Sequence, residues 1–281
     1  MWLTDLPILG RPLALRGLRQ EAWKAREVPP ACRAVPTMLM DDELRLLDYL
    51  ADRYWSGKGI IVDAGCFLGG STLALASGLR ANLERRGRPE SPLIHSYDLF
   101  RIEGWTIGPY FPETRKAGES LRSTFESNIE AYSPLVRVHE GDIAASEPPD
   151  RPIELLFIDL AKNWMVCDWI TEHLFPRLIP GRSVVIQQDY LWGASTGWLQ
   201  VTMEYYSEEF EILCDTDYNS VAFLLRKPFA PGRIRPRLVE NLPVAEKAAL
   251  MDRAAARFPP EQAAILKAAK DDFLAILERL G

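Results

Sequence analysis

The sequence is poor in the residues that mark several large classes of protein. Its 281 residues include only four cysteines and three histidines, and Cys32, Cys66, Cys167 and Cys214 are too scattered to form a C-x-x-C pair. This usage excludes a disulfide framework and the common zinc sites. It is typical of reduced thiols in a cytoplasmic protein, and we expect that location.

Long apolar runs and an excess of positive charge are missing as well. No hydrophobic stretch approaches the roughly 18 residues that span a bilayer, and the first ten residues lack the cationic start of a secretory signal. Lys and Arg total 33 against 39 Asp and Glu, which gives a formal net charge of −6. A general nucleic-acid binder needs a basic face, so we expect neither nucleic acid nor a membrane as a partner.

What remains is the composition of an ordinary globular chain, 47% hydrophobic and 26% charged, with enough apolar side chains for a sizeable core. Residues 1–40 are rich in Arg and Pro and predict an irregular lead-in with short helical pieces. Residues 41–227 predict one sheet domain. Residues 228–281 predict a linker and two helices broken at Pro259-Pro260, which could pack on that domain or join two copies of the chain as a homodimer.

Short apolar segments alternate with helical patterns along residues 41–227. The predicted strands cover 59–63, 93–97, 136–139, 153–158, 183–187, 210–214 and 220–226, and the predicted helices cover 41–55, 71–82, 119–131, 162–175 and 195–208. Alternating strands and helices predict a mostly parallel sheet with helices on both faces. The last two strands are split by five turn-forming residues and predict a closing antiparallel hairpin.

A glycine-rich turn follows the first predicted strand. Its sequence, Asp63-Ala-Gly-Cys-Phe-Leu-Gly-Gly-Ser-Thr72, leads directly into a predicted helix. Glycine lets the backbone approach a ligand closely, and a helix N-terminus offers free N–H groups to a carboxylate or a phosphate. Because the spacing is not G-x-G-x-x-G, the turn could also be only a tight connection.

Acidic residues also end the next two predicted strands. Asp98 follows the second strand, where a carboxylate can accept two hydrogen bonds from a ribose diol. Asp142 follows the third strand and is placed to meet an adenine amino group. An acidic ribose partner without a phosphate-binding Lys or Arg favours a nucleoside ligand that has no pyrophosphate.

With these motifs, residues 41–227 resemble the S-adenosylmethionine-dependent methyltransferases. The resemblance implies an α/β Rossmann-like fold with a seven-stranded, mostly parallel sheet and S-adenosylmethionine as the cofactor. The cofactor-binding residues that it implies are Asp63, Gly65, Phe67, Gly69, Gly70, Ser71, Asp98, Asp142 and Ile143. In this chain a Phe-Leu-Gly-Gly sequence replaces the third spaced glycine of the usual family motif.

A second polar group follows the fourth and fifth predicted strands. Asp159 ends the fourth strand and begins the sequence Asp-Leu-Ala-Lys162, and Gln188 and Asp189 end the fifth. Because neighbouring parallel strands end at the same edge of a sheet, we expect Asp159, Gln188 and Asp189 to converge as oxygen ligands for Mg²⁺. Asp159 could instead cap the following helix, and the other two could bond to their own loop.

This group is similar to that of the divalent-cation-dependent catechol and caffeoyl-coenzyme A O-methyltransferases, with the amide and the carboxylate in swapped order. The resemblance implies methyl transfer to a hydroxyl of a small-molecule acceptor, with Asp159 and Lys162 as catalytic residues. Near Mg²⁺, Lys162 could be neutral enough to act as the general base, or it could be a solvated lysine. The alternatives are a relative with other tailoring chemistry and a non-catalytic nucleoside-binding module.

Aromatic residues follow the same strands. Trp105, Tyr110 and Phe111 lie after the second strand, and Trp164, Trp192 and Trp198 follow the fourth and fifth. Aromatic side chains suit a planar or sugar-like acceptor. They could equally belong to the core.

Overall fold

Seven buried apolar segments form the strands of one sheet. In the computed structural model, which describes residues 10–193 and 196–280, they are β1 (Ile60–Ala64), β2 (Ile94–Asp98), β3 (Val136–Glu140), β4 (Ile153–Ile158), β5 (Val184–Gln187), β6 (Phe210–Asp215) and β7 (Val221–Leu225). The strand order is β3-β2-β1-β4-β5-β7-β6. All seven predicted strands are confirmed to within one residue at either end.

The helices follow the predicted alternation. They are α1 (Gly10–Arg19), α2 (Pro30–Arg33), α3 (Asp41–Tyr49), α4 (Gly70–Arg85), α5 (Arg122–Asn128), α6 (Trp164–His173), α7 (Gly197–Tyr205), α8 (Val244–Ala255) and α9 (Pro260–Leu280). The helix predicted over 41–55 ends at Tyr49 and continues as a π-helical turn over Leu50–Tyr54. The start of the helix predicted over 195–208 lies outside the described residues. No helix in the described ranges is long and apolar enough to cross a membrane.

The chain divides into two compact units, Met1–Glu147 and Pro148–Gly281. In the first unit β1, β2 and β3 pair in parallel, with Asp63 opposite Ser96 and Asp98 opposite Glu140. This register places the carboxyl ends of the three strands at one edge. Helix α4 packs on α3 and on the π-helical turn that follows it.

In the second unit β4 and β5 pair in parallel, with Ile158 opposite Gln187. Strand β7 runs antiparallel to both β5 and β6, which confirms the predicted closing hairpin. The C-terminal helices pack on this unit through Phe273 of α9. Its ring lies 5.2 Å from Trp198 of α7 and 6.0 Å from Trp164 of α6, measured between ring centroids.

The four cysteines are buried free thiols, as their scattered positions predict. Cys32 and Cys66 lie in the first unit, and Cys167 and Cys214 lie in the second. Burial raises the pKa of Cys32 to about 12 and holds the pKa values of Cys66 and Cys167 well above the usual range. A thiol that keeps its proton is a poor nucleophile and a poor metal ligand.

Candidate active site

The turn after β1 is built around Asp63, whose side chain is fully buried. Its Oδ2 accepts hydrogen bonds from the hydroxyl of Ser71, at 3.1 Å, and from the hydroxyl of Thr72. The other oxygen, Oδ1, is buried and has no hydrogen-bond partner among the residues that the structure describes. Burial raises the pKa of Asp63 to about 6, although the two hydroxyls oppose this shift. A donor group of a ligand would satisfy Oδ1 and stabilise the charged form.

Phe67 holds this turn in a conformation that residues with a side chain rarely adopt. Its φ is 45°, and the other positive φ values of the turn belong to Gly65 and Gly69. Such strain persists only where the surroundings impose it. The ring of Phe67 packs edge-on against Tyr110 and Phe111, with centroids 5.5 and 5.9 Å away. Part of the predicted aromatic surface therefore supports the turn.

Gly70 begins α4 in close contact with the N-terminal lead-in. A Cβ atom added to Gly70 would lie 2.7 Å from the Cβ of Thr37, which is closer than real Cβ atoms approach one another. Any larger side chain at position 70 would therefore move the start of α4 or the backbone near Thr37. The glycine fixes where the first N–H groups of the helix lie.

Asp98 connects the ends of three strands. Its Oδ2 accepts a hydrogen bond from the backbone N–H of Phe67 at 2.8 Å, and its Oδ1 accepts one from that of Phe100 at 2.7 Å. The carbonyl oxygen of Asp98 accepts a third from Gly141 at 2.9 Å. Burial raises the pKa of Asp98, although the backbone N–H groups of Phe100, Phe67 and Cys66 lower it. A carboxylate has about four acceptor positions, so this one can still accept a further hydrogen bond.

Asp142 and Ile143, the predicted adenine neighbours, follow directly. Asp142 Oδ1 accepts a hydrogen bond from the backbone N–H of Ala144 at 2.9 Å and so caps a short 3-10 turn, while Ile143 is buried. The structure thus places the acidic strand ends of β1, β2 and β3 at one edge, as the sequence analysis expects. The contacts of Asp142 and Ile143 with a ligand stay a prediction.

Two contributors to this edge are missing from the predicted residues. Thr72 bonds to Asp63, and a Ser-Thr pair at the start of a helix is a signal that could have identified it. Phe100 contributes only its backbone N–H, and its φ of 49° turns the chain back after β2. Sequence patterns carry no signal for a single backbone donor, so this contact could not be predicted.

In the second unit, Lys162 lies between two carboxylates. Its Nζ is 3.1 Å from Asp159 Oδ1 and 2.9 Å from Asp189 Oδ2. Burial by itself would lower the pKa of Lys162, but the attraction of Asp159 and Asp189 and their hydrogen bonds outweigh it and raise the pKa above its usual value. Lys162 therefore carries its proton at neutral pH. A protonated lysine cannot act as the predicted general base while both carboxylates contact it.

Gln188 presents the donor end of its amide to Asp189. Its Nε2 lies 2.5 Å from Asp189 Oδ1, while its Oε1 is buried and has no hydrogen-bond partner within the described ranges. The backbone N–H of Gln188 donates to the carbonyl of Ile158 at 3.0 Å, which joins the ends of β4 and β5. Asp189 itself has a φ of 60°. The predicted residues Asp159, Lys162, Gln188 and Asp189 are thus brought together.

The arrangement differs from a magnesium site in two respects. First, the ammonium of Lys162 lies between the carboxylates of Asp159 and Asp189. Second, the side-chain amide of Gln188 directs its N–H group toward Asp189, whereas a metal ion would be bound by the carbonyl oxygen of that amide. Within residues 10–193 and 196–280 no group of three or more His, Cys, Asp and Glu side chains is placed to hold a metal ion. As they stand, these residues do not fit Mg²⁺.

The cap of helix α6 is a residue other than Asp159. Helix α6 is capped by Asn163, whose Oδ1 accepts a hydrogen bond from the backbone N–H of Val166 at 2.9 Å. Asp159 lies four positions before the cap and contacts Lys162 instead. Its carboxylate belongs to the polar group at the ends of β4 and β5.

The predicted aromatic surface contains exposed, half-buried and buried members. Trp105 and Trp192 are 61% and 65% exposed, and the backbone N–H of Trp192 donates to the carbonyl of Asp189 at 3.1 Å. Trp164 and Trp198 instead pack around Phe273. Trp105 and Trp192 are therefore the most exposed of these indoles.

No protein-family model and no curated protein sequence matches the chain. Among solved structures it is similar to CalS11, a TDP-rhamnose 3'-O-methyltransferase of calicheamicin biosynthesis, at 18% identity over 76% of this chain and 93% of that one, with a TM-score of 0.48. It is similar to cofactor-bound Rv0187 from MTB at 16% identity over 74% and 90%, with a TM-score of 0.45. It is also similar to an O-methyltransferase from Bacillus cereus in complex with SAH, at 15% identity over 76% and 91%, with a TM-score of 0.41.

The fold itself is assigned from the sheet. Three parallel strands, β3-β2-β1, lie beside β4 and β5, and the antiparallel strand β7 lies between β5 and β6. The chain has the seven-stranded methyltransferase fold. In open α/β sheets, ligands bind at the carboxyl ends of the strands, which is where both polar groups of this chain lie.

The two groups offer different chemistry, each within its own unit. The ends of β1 and β2 present the carboxylates of Asp63 and Asp98, which accept hydrogen bonds from amino and hydroxyl groups. The ends of β4 and β5 present an ammonium with two carboxylates, which can hold an oxygen atom and accept its proton. The first group suits a ligand rich in donors, and the second suits a hydroxyl.

Proposed function

We propose that this chain is an S-adenosylmethionine-dependent methyltransferase that acts on a hydroxyl of a small molecule. The observation that carries the proposal is Asp63 Oδ1, a buried carboxylate oxygen with no partner among the described residues, placed at the turn that leads into α4. A buried acceptor without a donor costs about 1–3 kcal/mol. The amino group in the methionine part of the cofactor is the kind of donor that would satisfy it.

The other cofactor contacts follow from the same edge. Asp98 retains acceptor capacity for the ribose hydroxyls, and Asp142 and Ile143 would flank the adenine. The methionine part would be surrounded by residues of the turn after β1, namely Gly65, Phe67, Gly69, Gly70 and Ser71. S-adenosylmethionine, when bound, supplies a methyl group that its sulfonium charge already activates.

On the acceptor side, the chain must orient a hydroxyl and remove its proton. Asp159 and Asp189 both contact the ammonium of Lys162. We assign proton uptake to Asp159, the carboxylate that the sequence analysis predicts as catalytic, and positioning of the acceptor oxygen to Lys162. The exposed indole of Trp192 would provide an apolar surface for the rest of the acceptor.

The magnesium ion predicted from the sequence stays a prediction. Asp159 and Asp189 would have to release Lys162 before they could hold a divalent cation, and the amide of Gln188 would have to turn. We assign no step of the reaction to a metal.

The proposal is tested by calorimetric titration of the full chain with S-adenosylmethionine. We expect binding in the micromolar range, weakened at least tenfold in Asp98→Asn, because a charged acceptor for the ribose becomes a neutral one. The matched control is Asp150→Asn, which removes an exposed carboxylate and should bind as the wild type does.

Two results would contradict the proposal. Absence of binding in the wild type would exclude the cofactor. Binding of adenosine as tight as that of S-adenosylmethionine would show that the methionine part makes no net contribution at Asp63, and would favour a nucleoside-binding module.

A further inference from the structure

We propose that Lys162 is the resident cation of the acceptor site and takes the place that a divalent metal ion would otherwise have between Asp159 and Asp189. The assignment of these residues to an acceptor site rests on the proposed function. The cation itself is inferred from contacts within the second unit alone.

The distances support this assignment. Lys162 Nζ lies at 3.1 and 2.9 Å from one oxygen of each carboxylate, so a single ammonium bridges the pair. A lysine ammonium has three N–H donors, and the two carboxylates account for two of them. The third can be donated to the oxygen of an acceptor, which is the contact that a metal ion would otherwise make.

The carboxylate pair is held in place from both strands. The amide of Gln188 donates to Asp189 Oδ1, and the backbone N–H of Gln188 donates to Ile158 at the end of β4. The backbone N–H of Trp192 donates a hydrogen bond to the carbonyl oxygen of Asp189 and so stabilises the turn after β5. The backbone N–H of Lys162 donates to the carbonyl of Leu160 at 2.8 Å, which fixes the stem of the lysine.

Charge and donor chemistry disfavour a metal in this arrangement. Two carboxylates and one ammonium leave a net charge of −1, whereas a divalent ion between the same carboxylates would lie against the ammonium and be repelled by it. The amide of Gln188 shows its N–H to the pair, and an N–H group is not a ligand for a hard cation. If the ammonium were removed, the two remaining carboxylates would attract a divalent cation.

The test uses Mn²⁺ alone, followed by the electron paramagnetic resonance signal of the free ion, with no cofactor present. The wild type should bind Mn²⁺ only weakly, with a Kd above about 1 mM. Lys162→Met removes the charge at similar length and should bind one Mn²⁺ at least tenfold more tightly. Lys162→Arg keeps the charge and should bind as weakly as the wild type, and the double variant Lys162→Met with Asp159→Asn should lose the gain.

Either of two results would overturn the inference. One is tight stoichiometric binding of Mn²⁺ by the wild type that Asp159→Asn abolishes. The other is weak binding by Lys162→Met and equally by Lys162→Gln, with both variants folded by circular dichroism. Lys162 is half-exposed, so neither variant opens the core. The Mn²⁺ experiment uses no cofactor. If the chain failed to bind S-adenosylmethionine, the proposed function would therefore be rejected, but the Mn²⁺ result would still apply to the role of Lys162.

Discussion

Asp63 and Lys162 show how the surroundings of one side chain decide its charge. Asp63 is buried with two hydroxyl donors and no cation, so its pKa rises to about 6. Lys162 has two carboxylates within 3.1 Å, and they raise its pKa although burial opposes them. Oδ1 of Asp63 has no hydrogen-bond donor among the described residues, whereas the ammonium of Lys162 contacts two carboxylate acceptors.

The pKa of Asp63 predicts a pH-dependent cost to stability. Its usual value is near 3.8, so between about pH 4 and pH 6 the unfolded chain loses this proton while the folded chain keeps it. Unfolding therefore becomes easier as pH rises, by about 3 kcal/mol in all for a shift of about two pH units. Asp63→Asn has no proton to lose, and its free energy of unfolding relative to the wild type should rise by up to that amount from pH 4 to pH 7.

Urea unfolding of both proteins at pH 4, 5, 6 and 7 measures this difference. The exposed substitution Asp150→Asn should follow the wild-type profile at every pH. Parallel profiles for the wild type and Asp63→Asn would show that Asp63 titrates alike in the folded and unfolded chains.

Among the elements, the turn from β1 into α4 depends most closely on single residues. Phe67 is strained, Asp98 anchors its N–H, and Gly70 leaves no space for a side chain against Thr37. The turn after β5 also contains a residue other than glycine with a positive φ, which is Asp189. In both turns a polar contact fixes a backbone conformation that the residue alone would not choose.

Gly70→Ala tests the contact between α4 and the lead-in. Alanine favours helix over glycine by up to about 1 kcal/mol, but overpacking costs about 1–3 kcal/mol, so we expect a net loss of about 1–2 kcal/mol in the free energy of unfolding by urea. At Gly104, an added Cβ has no neighbour within 4 Å among the described residues, and Gly104→Ala should be nearly neutral. The double variant Gly70→Ala with Thr37→Gly should recover part of the loss, and no recovery would place the strain elsewhere.

At the scale of the molecule, the C-terminal helices belong to the core of the second unit. Phe273 of α9 is fully buried between Trp164 and Trp198. Phe273→Ala should therefore lower the free energy of unfolding by about 3–5 kcal/mol, measured by urea titration. Tyr218→Ala, at a side chain that is 57% exposed, should change it by less than about 0.5 kcal/mol. A small effect of Phe273→Ala would mean that α9 only rests on the surface.

Sequence patterns predict this fold well because each strand is a short run of buried apolar residues bounded by turn residues. The strand predicted over 153–158 is observed without change. The helix predicted over 119–131 is shorter, since α5 covers only Arg122–Asn128 and a 3-10 segment over Glu130–Leu135 follows it.

The sites are predicted less completely. Asp63, Asp98, Asp159 and the Gln188-Asp189 pair follow from their places at strand ends, where parallel strands share an edge. The bridging position of Lys162 could not be predicted, because it depends on a carboxylate 27 residues further along the chain and on the direction of one amide. The positive φ of Phe67 gives no signal in the sequence, since phenylalanine is not a turn residue.

The buried cysteines give the chain a built-in reporter of its own opening. Each unit contains two of the four buried thiols, and a buried thiol reacts with an alkylating reagent only after the surrounding structure has opened. The mass added at Cys32 and Cys66 therefore records exposure of the first unit, and the mass added at Cys167 and Cys214 records exposure of the second. One labelling reaction can therefore measure the opening rate of each unit separately, without a dye or an engineered residue.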